Sequence, residues 1–359
     1  MRILHILNDI RELGNGIINV AVDLACSQAE QGYEVSVASA GGEYEALLAK
    51  YGVKHFYLDQ QRRPMQLWQA AHRYRQIIQT VQPDIVHAHM MTGVVLARLF
   101  RLNCSYILVS TVHNEFQASS ILMGIADRVI AVSHAVASSM AKRGVPQNKL
   151  RVVHNGTIGS PRLRRFHTTD IPALHRPAIT TVAGMTERKG IADLIAAFIQ
   201  IAPRFPMAHL YLVGDGFDMA KFRQQAQASV VGDRIHFEGF QPNPVRYLHS
   251  TDVFVLASRR EPFGLVLAEA REVGCAIVAS NVDGIPEALD QGEAGILVPP
   301  LDQRAIATAL QTLLEQPQEL CHWQQQAQRN LDWLSVNRMS RETLGVYREV
   351  VGVPQGLPG

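Results

Sequence analysis

The chain has 359 residues, 47% of them hydrophobic and 18% charged, which predicts about two domains with packed cores and excludes a disordered chain. No apolar run reaches the roughly 20 residues that a membrane-spanning helix needs. The net charge of +2 hides an asymmetry, because residues 1–169 carry 18 Lys and Arg against 11 Asp and Glu (+7), whereas residues 170–359 carry 16 against 21 (−5).

The first half alternates short apolar strands with helices. It opens on RILHIL (2–7), a buried strand that lacks the long apolar core and cleavage site of a signal peptide. Strands follow at EVSVAS, VKHFYL, DIVHAH, YILVSTVH, RVIAVS and LRVVHN, and helices at INVAVDLACSQAEQ, EYEALLAKYG, TGVVLARLF and HAVASSMAKRG. Another amphipathic helix is predicted where apolar residues recur at helical spacing, at Leu67, Ala71, Tyr74, Ile78 and Val81.

Residues 157–177 have no periodicity and are predicted to be a linker before a second alternating series, AITTVAG to AIVAS. The predicted fold class is therefore α/β, with two doubly wound Rossmann-like domains at 1–169 and 170–339. The C-terminal helix, about 340–359, is expected to pack back on the first domain. Ligands of such sheets bind beyond the carboxyl ends of the strands, so the cleft between two facing domains is the expected place for chemistry.

The four cysteines, Cys26, Cys104, Cys275 and Cys321, form no CxxC pair and lie in or beside apolar segments. Buried free thiols in a reducing cytoplasm are the favoured interpretation over disulfides or metal ligands.

TVAGMTERKG (181–190) places Lys189 at a loop that opens a helix, where a lysine and backbone N–H groups make an anion site. An ordinary solvated turn is the alternative, and the spacing does not match a P-loop. LYLVGDG (210–216) ends a buried strand with glycines that suit a tight turn or a close approach to a ligand. DGIPEAL (283–289) is adequately explained as a turn before a helix.

EPFGLVLAE (261–269) is the most informative motif. Phe263 and Gly264 stand where a helix should begin, so their N–H groups are predicted to point into the cleft, where a phosphate would satisfy them. Glu261 precedes the helix and Glu269 lies in its first turns, within reach of ribose hydroxyls. Two glutamates at this spacing are common by chance, but a pair enclosing Pro-Phe-Gly between a buried strand and a buried helix is much rarer.

The first half contributes glycines and histidines. Gly14 and Gly16 in LGNGI would let backbone amides approach phosphate oxygens, although two glycines alone are a weak dinucleotide signal. HAHM (87–90) and STVHNE (110–115) end two strands with histidines. Such histidines are more often structural, but His113 stands among polar residues at a carboxyl end.

Taken in order, these motifs resemble the retaining glycosyltransferases of family 4, which have the GT-B fold of two Rossmann-like domains. The resemblance covers nearly the whole chain, including DIVHAH, AVSHAVASSM, KLRVVHNG, ERKG, EPFGLVLAE and GEAGILVPP. By position, it implies that Lys189 holds the donor diphosphate and Glu261 the transferred sugar. It also implies that amides from Phe263 to Leu265 contact sugar and phosphates, and that Glu269 holds the ribose.

For the other domain, the resemblance implies that Gly16 lies against the diphosphate and that His113 sits beside the anomeric centre. The loop of Gly239, Phe240 and Gln241 would flank the base. Two departures affect donor binding: Gly184 stands where the family commonly has an arginine, for which Arg188 is a possible substitute, and Asn155-Gly156-Thr157-Ile158 lacks the acid of its motif.

The resemblance implies a hexosyltransferase that uses a nucleotide-diphosphate sugar, retains the anomeric configuration and has no dedicated base. A lysine and helix-start amides can stabilise the leaving diphosphate, and the sequence offers no defensible cluster of metal-ligating acids, so no cofactor and no metal are expected.

The expected acceptor is a glycan or a lipid-linked molecule of a polysaccharide pathway, and the expected location is cytoplasmic, with possible peripheral contact at the inner membrane face. Basic residues in the first half would dock on anionic lipid, at Arg62, Arg63, Arg73, Arg75, Arg98 and Arg101. A solvated charged surface explains them equally well.

Three other functions compete. A nucleic-acid protein would need interleaved aromatic residues or a known motif, which the sequence does not offer. An NDP-sugar epimerase of the same fold would need no acceptor surface. A non-catalytic sugar-binding relative is disfavoured by the presence of Lys189, Glu261 and Glu269.

Overall fold

The structure is a computed structural model that describes residues 1–61, 64–101, 104–166 and 171–351. The chain forms two compact α/β units. Unit 1 is Met1–Arg164 with the segment that begins at Trp333, and unit 2 is Arg165–Asp332. The domain boundary predicted at 169/170 falls outside the described residues.

Unit 1 contains a parallel sheet. Among the described residues its strands run in the order β3-β2-β1-β4-β5-β6-β7, so the strand order reverses between β1 and β4. The strands are β1 (Arg2–Ile6), β2 (Glu34–Ser39), β3 (Lys54–Tyr57), β4 (Ile85–Ala88), β5 (Ile107–Val112), β6 (Arg128–Ala131) and β7 (Leu150–Val152). The point of reversal is where sheets of this kind bind ligands.

Side chains cap the first residues of two helices of unit 1, α1 and α5. In α1 (Gly16–Glu30), the Asn15 side chain accepts the Ile17 N–H group at 3.0 Å. The following helices are α2 (Glu45–Lys50), α3 (Pro64–Val81), α4 (Met91–Leu99) and α5 (His134–Lys142), with a 3-10 helix at Ala118–Ile125. Ser133 caps α5 by accepting the Val136 N–H group at 3.2 Å.

Unit 2 repeats this plan with a parallel sheet whose described strands run in the order β10-β9-β8-β11-β12-β13. The strands are β8 (Ala178–Val182), β9 (His209–Val213), β10 (Ile235–Gly239), β11 (Val253–Leu256), β12 (Ala276–Ser280) and β13 (Ile296–Val298). The reversal falls between β8 and β11, and the loops that follow these two strands contain the ERKG and EPFG motifs.

Seven α-helices are described in unit 2, namely α6 (Ile191–Ile201), α7 (Met219–Gln227), α8 (Val245–Leu248), α9 (Leu265–Val273), α10 (Ile285–Ala288), α11 (Gln303–Glu315) and α12 (Pro317–Ala327). Leu194, Ile195 and Phe198 of α6 are fully buried against the sheet, and each such side chain contributes roughly 1.5–3 kcal/mol to folding.

The last helix, α13 (Val336–Val351), belongs to unit 1. Its Arg338 guanidinium donates to the carbonyl groups of His154 and Asn155, at 2.8 and 3.1 Å. Just before it, the Leu334 carbonyl accepts the Thr157 N–H group at 2.9 Å. These bonds tie the returning segment to the end of the first series of strands.

The predicted fold class, two doubly wound α/β domains, is confirmed. Strand β13 was not predicted, because three residues in GILVPP are too few for a periodicity. The prediction of buried cysteines is wrong for Cys321, which is exposed on α12, and only partly right for Cys104, which is half-buried. Cys26 and Cys275 are buried, and all four thiols are free.

Candidate functional site

Two loops of unit 2 meet at the carboxyl edge of its sheet, after β8 and β11. The first passes through a 3-10 turn at Glu187–Lys189 and reaches α6 through Gly190, whose φ is +66°. A Cβ atom on Gly190 would lie 1.9 Å from the Ala257 carbonyl oxygen, so this approach requires glycine. The Arg259 N–H group also donates to the Arg188 carbonyl at 2.8 Å. Backbone contacts therefore hold the two loops together.

An ion pair between the Lys189 ammonium and the Glu261 carboxylate joins the same loops. The lysine side chain is 17% exposed and the glutamate side chain 9%, so each charge needs the other as a partner. Ser258 Oγ donates to the same carboxylate oxygen at 3.2 Å. We call these two residues the Lys189–Glu261 pair. The structure thus brings together the two side chains to which the resemblance gives the diphosphate and the sugar.

The turn that begins α10 holds the main chain of Glu261. The Asp283 carboxylate accepts the Glu261 N–H group at 2.8 Å, and the Gly284 N–H group donates to the Glu261 carbonyl at 3.0 Å. Asp283 also pairs with Arg260 at 2.9 Å. The sequence pattern predicted only a turn here. The position of Asp283 after β12, the strand beside β11, is the signal that could have identified it.

Arg188 is a second cation beside the pair. Its Nη1 atom lies 3.9 Å from Glu261 Oε2 and donates to the Arg260 carbonyl at 2.9 Å. At Gly184, where the family's arginine is missing, an added Cβ atom would meet only the Asp215 carbonyl oxygen, at 3.8 Å. The position of Arg188 is compatible with its predicted use as a substitute cation.

The start of α9 lies directly after the Lys189–Glu261 pair. Phe263 is buried, Gly264 adopts a φ of +85°, and Leu265 is the first helical residue. No side chain among the described residues caps this helix start, and the first N–H groups of a helix attract negative charge. Glu269 is buried one turn further along. The predicted phosphate-binding amides and the predicted ribose ligand therefore lie on one short helix.

The predicted base-binding loop follows the edge strand β10 at the same carboxyl edge of the sheet. Gly239 has a φ of +68°, and its carbonyl accepts the Gly214 N–H group at 2.8 Å. Phe240 is 40% exposed. The Gln241 side chain donates to the Glu238 carbonyl at 2.9 Å. The loop thus presents an aromatic ring beside an anchored glutamine.

Unit 1 collects four histidines at the carboxyl edge of its sheet. His5 lies on β1 and His87 on β4, while His89 and His113 directly follow β4 and β5. His5 Nδ1 is 3.0 Å from His89 Nε2, and His89 Nδ1 is 3.1 Å from His113 Nε2. We call His5, His89 and His113 the histidine row. His113 was predicted as a site residue, and the structure makes it the end of this row.

Burial lowers the pKa of every one of these histidines. The pKa of His5 falls to about 4, although a hydrogen bond to Gln28 opposes the shift, and that of His113 falls to about 3. The pKa values of His87 and His89 also lie well below the usual range, first because of burial and then because of the neighbouring histidines. All four rings are therefore neutral at pH 7.

Three of these residues, His5, His87 and His89, are close enough for their ring nitrogens to share a metal ion. However, both nitrogens of His87 are occupied by hydroxyl groups, Tyr347 at 2.5 Å and Thr111 at 2.7 Å. The nitrogens of His5 and His89 bond to each other and to their neighbours. Since the network is complete without a cation, we interpret it as a set of hydrogen bonds.

The LGNGI loop follows β1 and leads into α1. Gly14 has a φ of +65°, in the left-handed region, and Gly16 is the first residue of the helix. Asn15 caps the Ile17 N–H group. The predicted diphosphate contact of Gly16 therefore falls at a helix start that follows the strand bearing His5.

The basic residues predicted for membrane contact are partly engaged within unit 1. Arg98 and Arg101 share the Asp127 carboxylate, at 3.5 and 2.8 Å. Arg75 packs over the ring of Phe100 at 5.2 Å. Arg73 donates to Gln76 and, at 3.4 Å, to the Tyr57 carbonyl; Arg62 and Arg63 lie outside the described residues. Trp68 on α3 is 73% exposed and Leu99 on α4 is 66% exposed.

In the part of the chain that the structure describes, no helix has the length and apolar character to cross a membrane.

Two family models match the chain. The model of glycosyl transferases group 1 matches residues 171–330, within unit 2, and that of glycosyltransferase family 4 matches residues 14–157, within unit 1. Together they cover most of the chain.

Individual proteins are similar over shorter stretches. The chain is 28% identical over 197 residues to the N-acetyl-alpha-D-glucosaminyl L-malate synthase of Bacillus anthracis, covering 53% of this chain and 50% of that protein. It is 30% identical over 170 residues to the lipopolysaccharide core biosynthesis glycosyltransferase LpsE of Rhizobium meliloti, covering 47% and 48%. The matched stretches span about half the length of these relatives.

The fold as a whole is similar to that of solved structures. The crystal structure of Anabaena Alr3699/HepE in complex with UDP and glucose covers 96% of this chain and 99% of its own, with a TM-score of 0.79 and 21% sequence identity. This likeness concerns the fold.

Proposed function

The chain belongs to the group 1 glycosyltransferases of family 4, with their GT-B fold, and from this premise we propose that it is a sugar-transferring enzyme. It takes a hexose from a nucleotide-diphosphate sugar and passes it to a glycan or a lipid-linked acceptor. The anomeric configuration is retained, and no metal ion takes part.

The Lys189–Glu261 pair carries this proposal, because it places a cation and a carboxylate side by side at the strand-order reversal of unit 2. A donor diphosphate competes with Glu261 for the lysine. The displaced carboxylate then accepts hydrogen bonds from hydroxyls of the transferred sugar, while Arg188 and the amides at Gly264 and Leu265 add to the binding of the phosphates.

The nucleoside end of the donor is assigned to the neighbouring elements. Glu269 accepts hydrogen bonds from the ribose hydroxyls, and the Phe240 ring and Gln241 flank the base. Uracil is the first base to test, because a structure of the same fold was solved in complex with UDP and glucose. From unit 1, the start of α1 at Gly16 is assigned to the diphosphate.

The chemical step breaks the bond between the anomeric carbon and the phosphate oxygen, which leaves negative charge on the diphosphate. Lys189, Arg188 and the helix-start amides stabilise that charge without a metal ion. The acceptor hydroxyl attacks the same face of the sugar and gives its proton to the departing phosphate, so no separate base is needed. His113, neutral at pH 7, hydrogen-bonds a sugar or acceptor hydroxyl beside the anomeric centre.

Binding and turnover are tested separately. The melting temperature is measured with UDP, GDP, ADP and CMP and then with their sugars, because a ligand that binds only the folded state raises it by mass action. Transfer is then measured as nucleotide release with and without EDTA. We expect one nucleotide to stabilise the protein and EDTA to have no effect. A sugar interconversion without nucleotide release would instead identify an epimerase, and no melting shift with any nucleotide would support a non-catalytic relative.

We propose a peripheral position at the cytoplasmic membrane face, which is supported by the basic α3–α4 region with its exposed Trp68 and Leu99. A lipid-linked acceptor is presented there, in line with the lipopolysaccharide core role of a relative. We expect flotation with anionic vesicles at low salt and release as the salt concentration rises. The absence of flotation with anionic vesicles at low salt would remove this part of the proposal.

A further inference from the structure

A buried glutamine of unit 1 contacts the first member of the histidine row. Gln28 lies near the end of α1 and is fully buried, with its Oε1 atom 2.9 Å from His5 Nε2. The Nε2 atom of the same amide makes no hydrogen bond to a described residue. The amide oxygen is therefore the atom through which Gln28 contacts the histidine row.

The direction of each hydrogen bond in the row follows from this oxygen. An amide oxygen only accepts, so His5 Nε2 must carry the proton that it donates. A neutral imidazole has one N–H group, which leaves His5 Nδ1 as an acceptor for a proton on His89 Nε2. The same rule applied once more puts a proton on His113 Nε2, which donates to His89 Nδ1.

We propose that Gln28 is a positioning residue that, through His5 and His89, fixes the tautomer of His113 with a bare Nδ1 atom. This inference rests on the proposed function for what the bare nitrogen binds, which is a hydroxyl group of the sugar or acceptor. A bare nitrogen accepts a hydrogen bond from a hydroxyl but gives none to a phosphate oxygen, so His113 favours the sugar over the leaving group.

The tautomer assignment does not extend to His87. It makes its hydrogen bonds to the Tyr347 and Thr111 hydroxyls, and hydroxyl groups both donate and accept, so they impose no direction on a ring. The row that ends at His113 has no such hydroxyl between its members. His5 and His89 bond through both ring nitrogens, and His113 ends the row. The orientation of the Gln28 amide therefore determines the tautomer of all three histidines.

The first test is the nitrogen spectrum of the full-length protein labelled with 15N-histidine, since a bare and a protonated ring nitrogen resonate far apart. In the wild-type protein at pH 7.5 we expect His113 in a single tautomer, protonated at Nε2. His113 protonated at Nδ1 would mean that the amide is reversed, and would overturn the proposal.

The second test removes the amide oxygen. Gln28→Met keeps the side-chain length, and in this variant we expect the His113 signals to report a mixture of tautomers. We also expect kcat to fall about tenfold to hundredfold, with KM for the donor nearly unchanged. This is the range of losses seen when the partner that orients a metal-ligating histidine is removed. Gln28→Glu, which keeps an accepting oxygen, should retain the single tautomer. An unchanged His113 tautomer in Gln28→Met would overturn the proposal.

One control variant and one replacement variant separate the possible failures. Gln60→Met makes the same change at another buried glutamine of unit 1, whose amide donates to the Leu7 carbonyl at 2.6 Å, and should leave the His113 signals as in the wild type. If Gln28→Met does not fold, Gln28→Asn withdraws the amide oxygen from His5 by one methylene and should likewise give a mixture of His113 tautomers. Because the spectrum needs no substrate, a wild-type protein without transfer activity would reject the proposed function while the tautomer assignment is still decided.

Discussion

The two units present opposite kinds of chemistry at the same place in the same fold. Unit 1 has the histidine row at the reversal of its sheet, with rings that are 0% to 9% exposed and uncharged at pH 7. Unit 2 has the Lys189–Glu261 pair, whose side chains are charged and 9% to 17% exposed. One topology therefore supplies either a buried network of neutral rings or a largely buried ion pair, depending on the residues that end its strands.

The difference shows how readily a polar group in each unit can change its partner. An ion pair can exchange partners, because a diphosphate offers Lys189 the same kind of charge that Glu261 does. A buried chain of neutral hydrogen bonds cannot exchange partners without leaving a polar group unpaired, which costs about 1–3 kcal/mol. The Lys189–Glu261 pair is thus suited to exchanging one anion for another, and the histidine row to holding its rings in place.

The largest effect is expected when the exchangeable charge is removed. Lys189→Met should lower kcat/KM for the donor by about 10²-fold to 10³-fold, because the departing diphosphate loses a preorganised cation. The control is Lys221→Met, since Lys221 pairs with Glu187 on the surface of the same unit and is 64% exposed. Equal activities of the two variants would contradict the role of Lys189.

The next largest effects should separate the roles of Glu261 and Glu269, in turnover and in UDP binding. Glu261→Gln should lower kcat about tenfold to hundredfold while UDP binds at least as tightly, since Lys189 is released from its partner. Glu269→Gln should instead weaken UDP binding about tenfold, the value of one charge-assisted hydrogen bond. Calorimetric titration with UDP and steady-state rates separate these results, and Glu272→Gln on the same helix is the control. Identical losses of binding and rate in the two variants would refute the division.

Low pH should lower the stability of unit 1 more than that of unit 2. Histidines in an unfolded chain titrate near pH 6.5, whereas those of the row titrate near pH 4 to 3 where values are resolved. Below pH 6.5 the unfolded state binds more protons, so the free energy of unfolding falls as the pH falls through this window, by at most about 1.4 kcal/mol per pH unit for each histidine.

Hydrogen exchange at pH 7 and pH 5, corrected for the intrinsic rate, should therefore show a greater loss of protection in unit 1. Burial also lowers the pKa values of His209 and His236 in unit 2, but these rings are less buried and the expected effect is smaller. Equal losses of protection in both units would speak against a neutral histidine row.

The smallest expected effect is an increase in the affinity for UDP. Gly184→Arg should tighten UDP binding about threefold to tenfold at low salt, because a cation is added where a Cβ atom has only a carbonyl oxygen at 3.8 Å as its neighbour. Gly184→Met fills similar space without charge and should give no gain. Equal affinities of these two variants would show that Arg188 already supplies the needed charge.

Much of this molecule could be predicted from local patterns. The strands and helices appear where apolar residues recur with the right period, and β2 covers the predicted EVSVAS to the residue. Helix α1 begins two residues before the predicted helix because the Asn15 cap, and not the first apolar residue, sets its start. Strand β13 was missed because three residues at a sheet edge have no period to detect.

The candidate site was predictable as a set of residues but not as a set of contacts. Lys189 and Glu261 were both identified, yet for separate ends of one ligand, and their direct pairing across 72 residues was not expected. Asp283 was read as part of a turn, although it holds the Glu261 main chain. Gln28 and His5 gave no signal, since a polar residue in an apolar helix or strand has no local motif.

The sequence by itself determined the two α/β units, the loops that carry chemistry and the types of side chain in them, because these depend on periodicity and on residues close together in the chain. Only the tertiary structure decided which strand ends are neighbours. The reversals of strand order between β1 and β4 and between β8 and β11 bring distant loops together. The partner of a buried charge or a buried imidazole is set by that neighbourhood, since such a group must bond to whatever the fold places beside it.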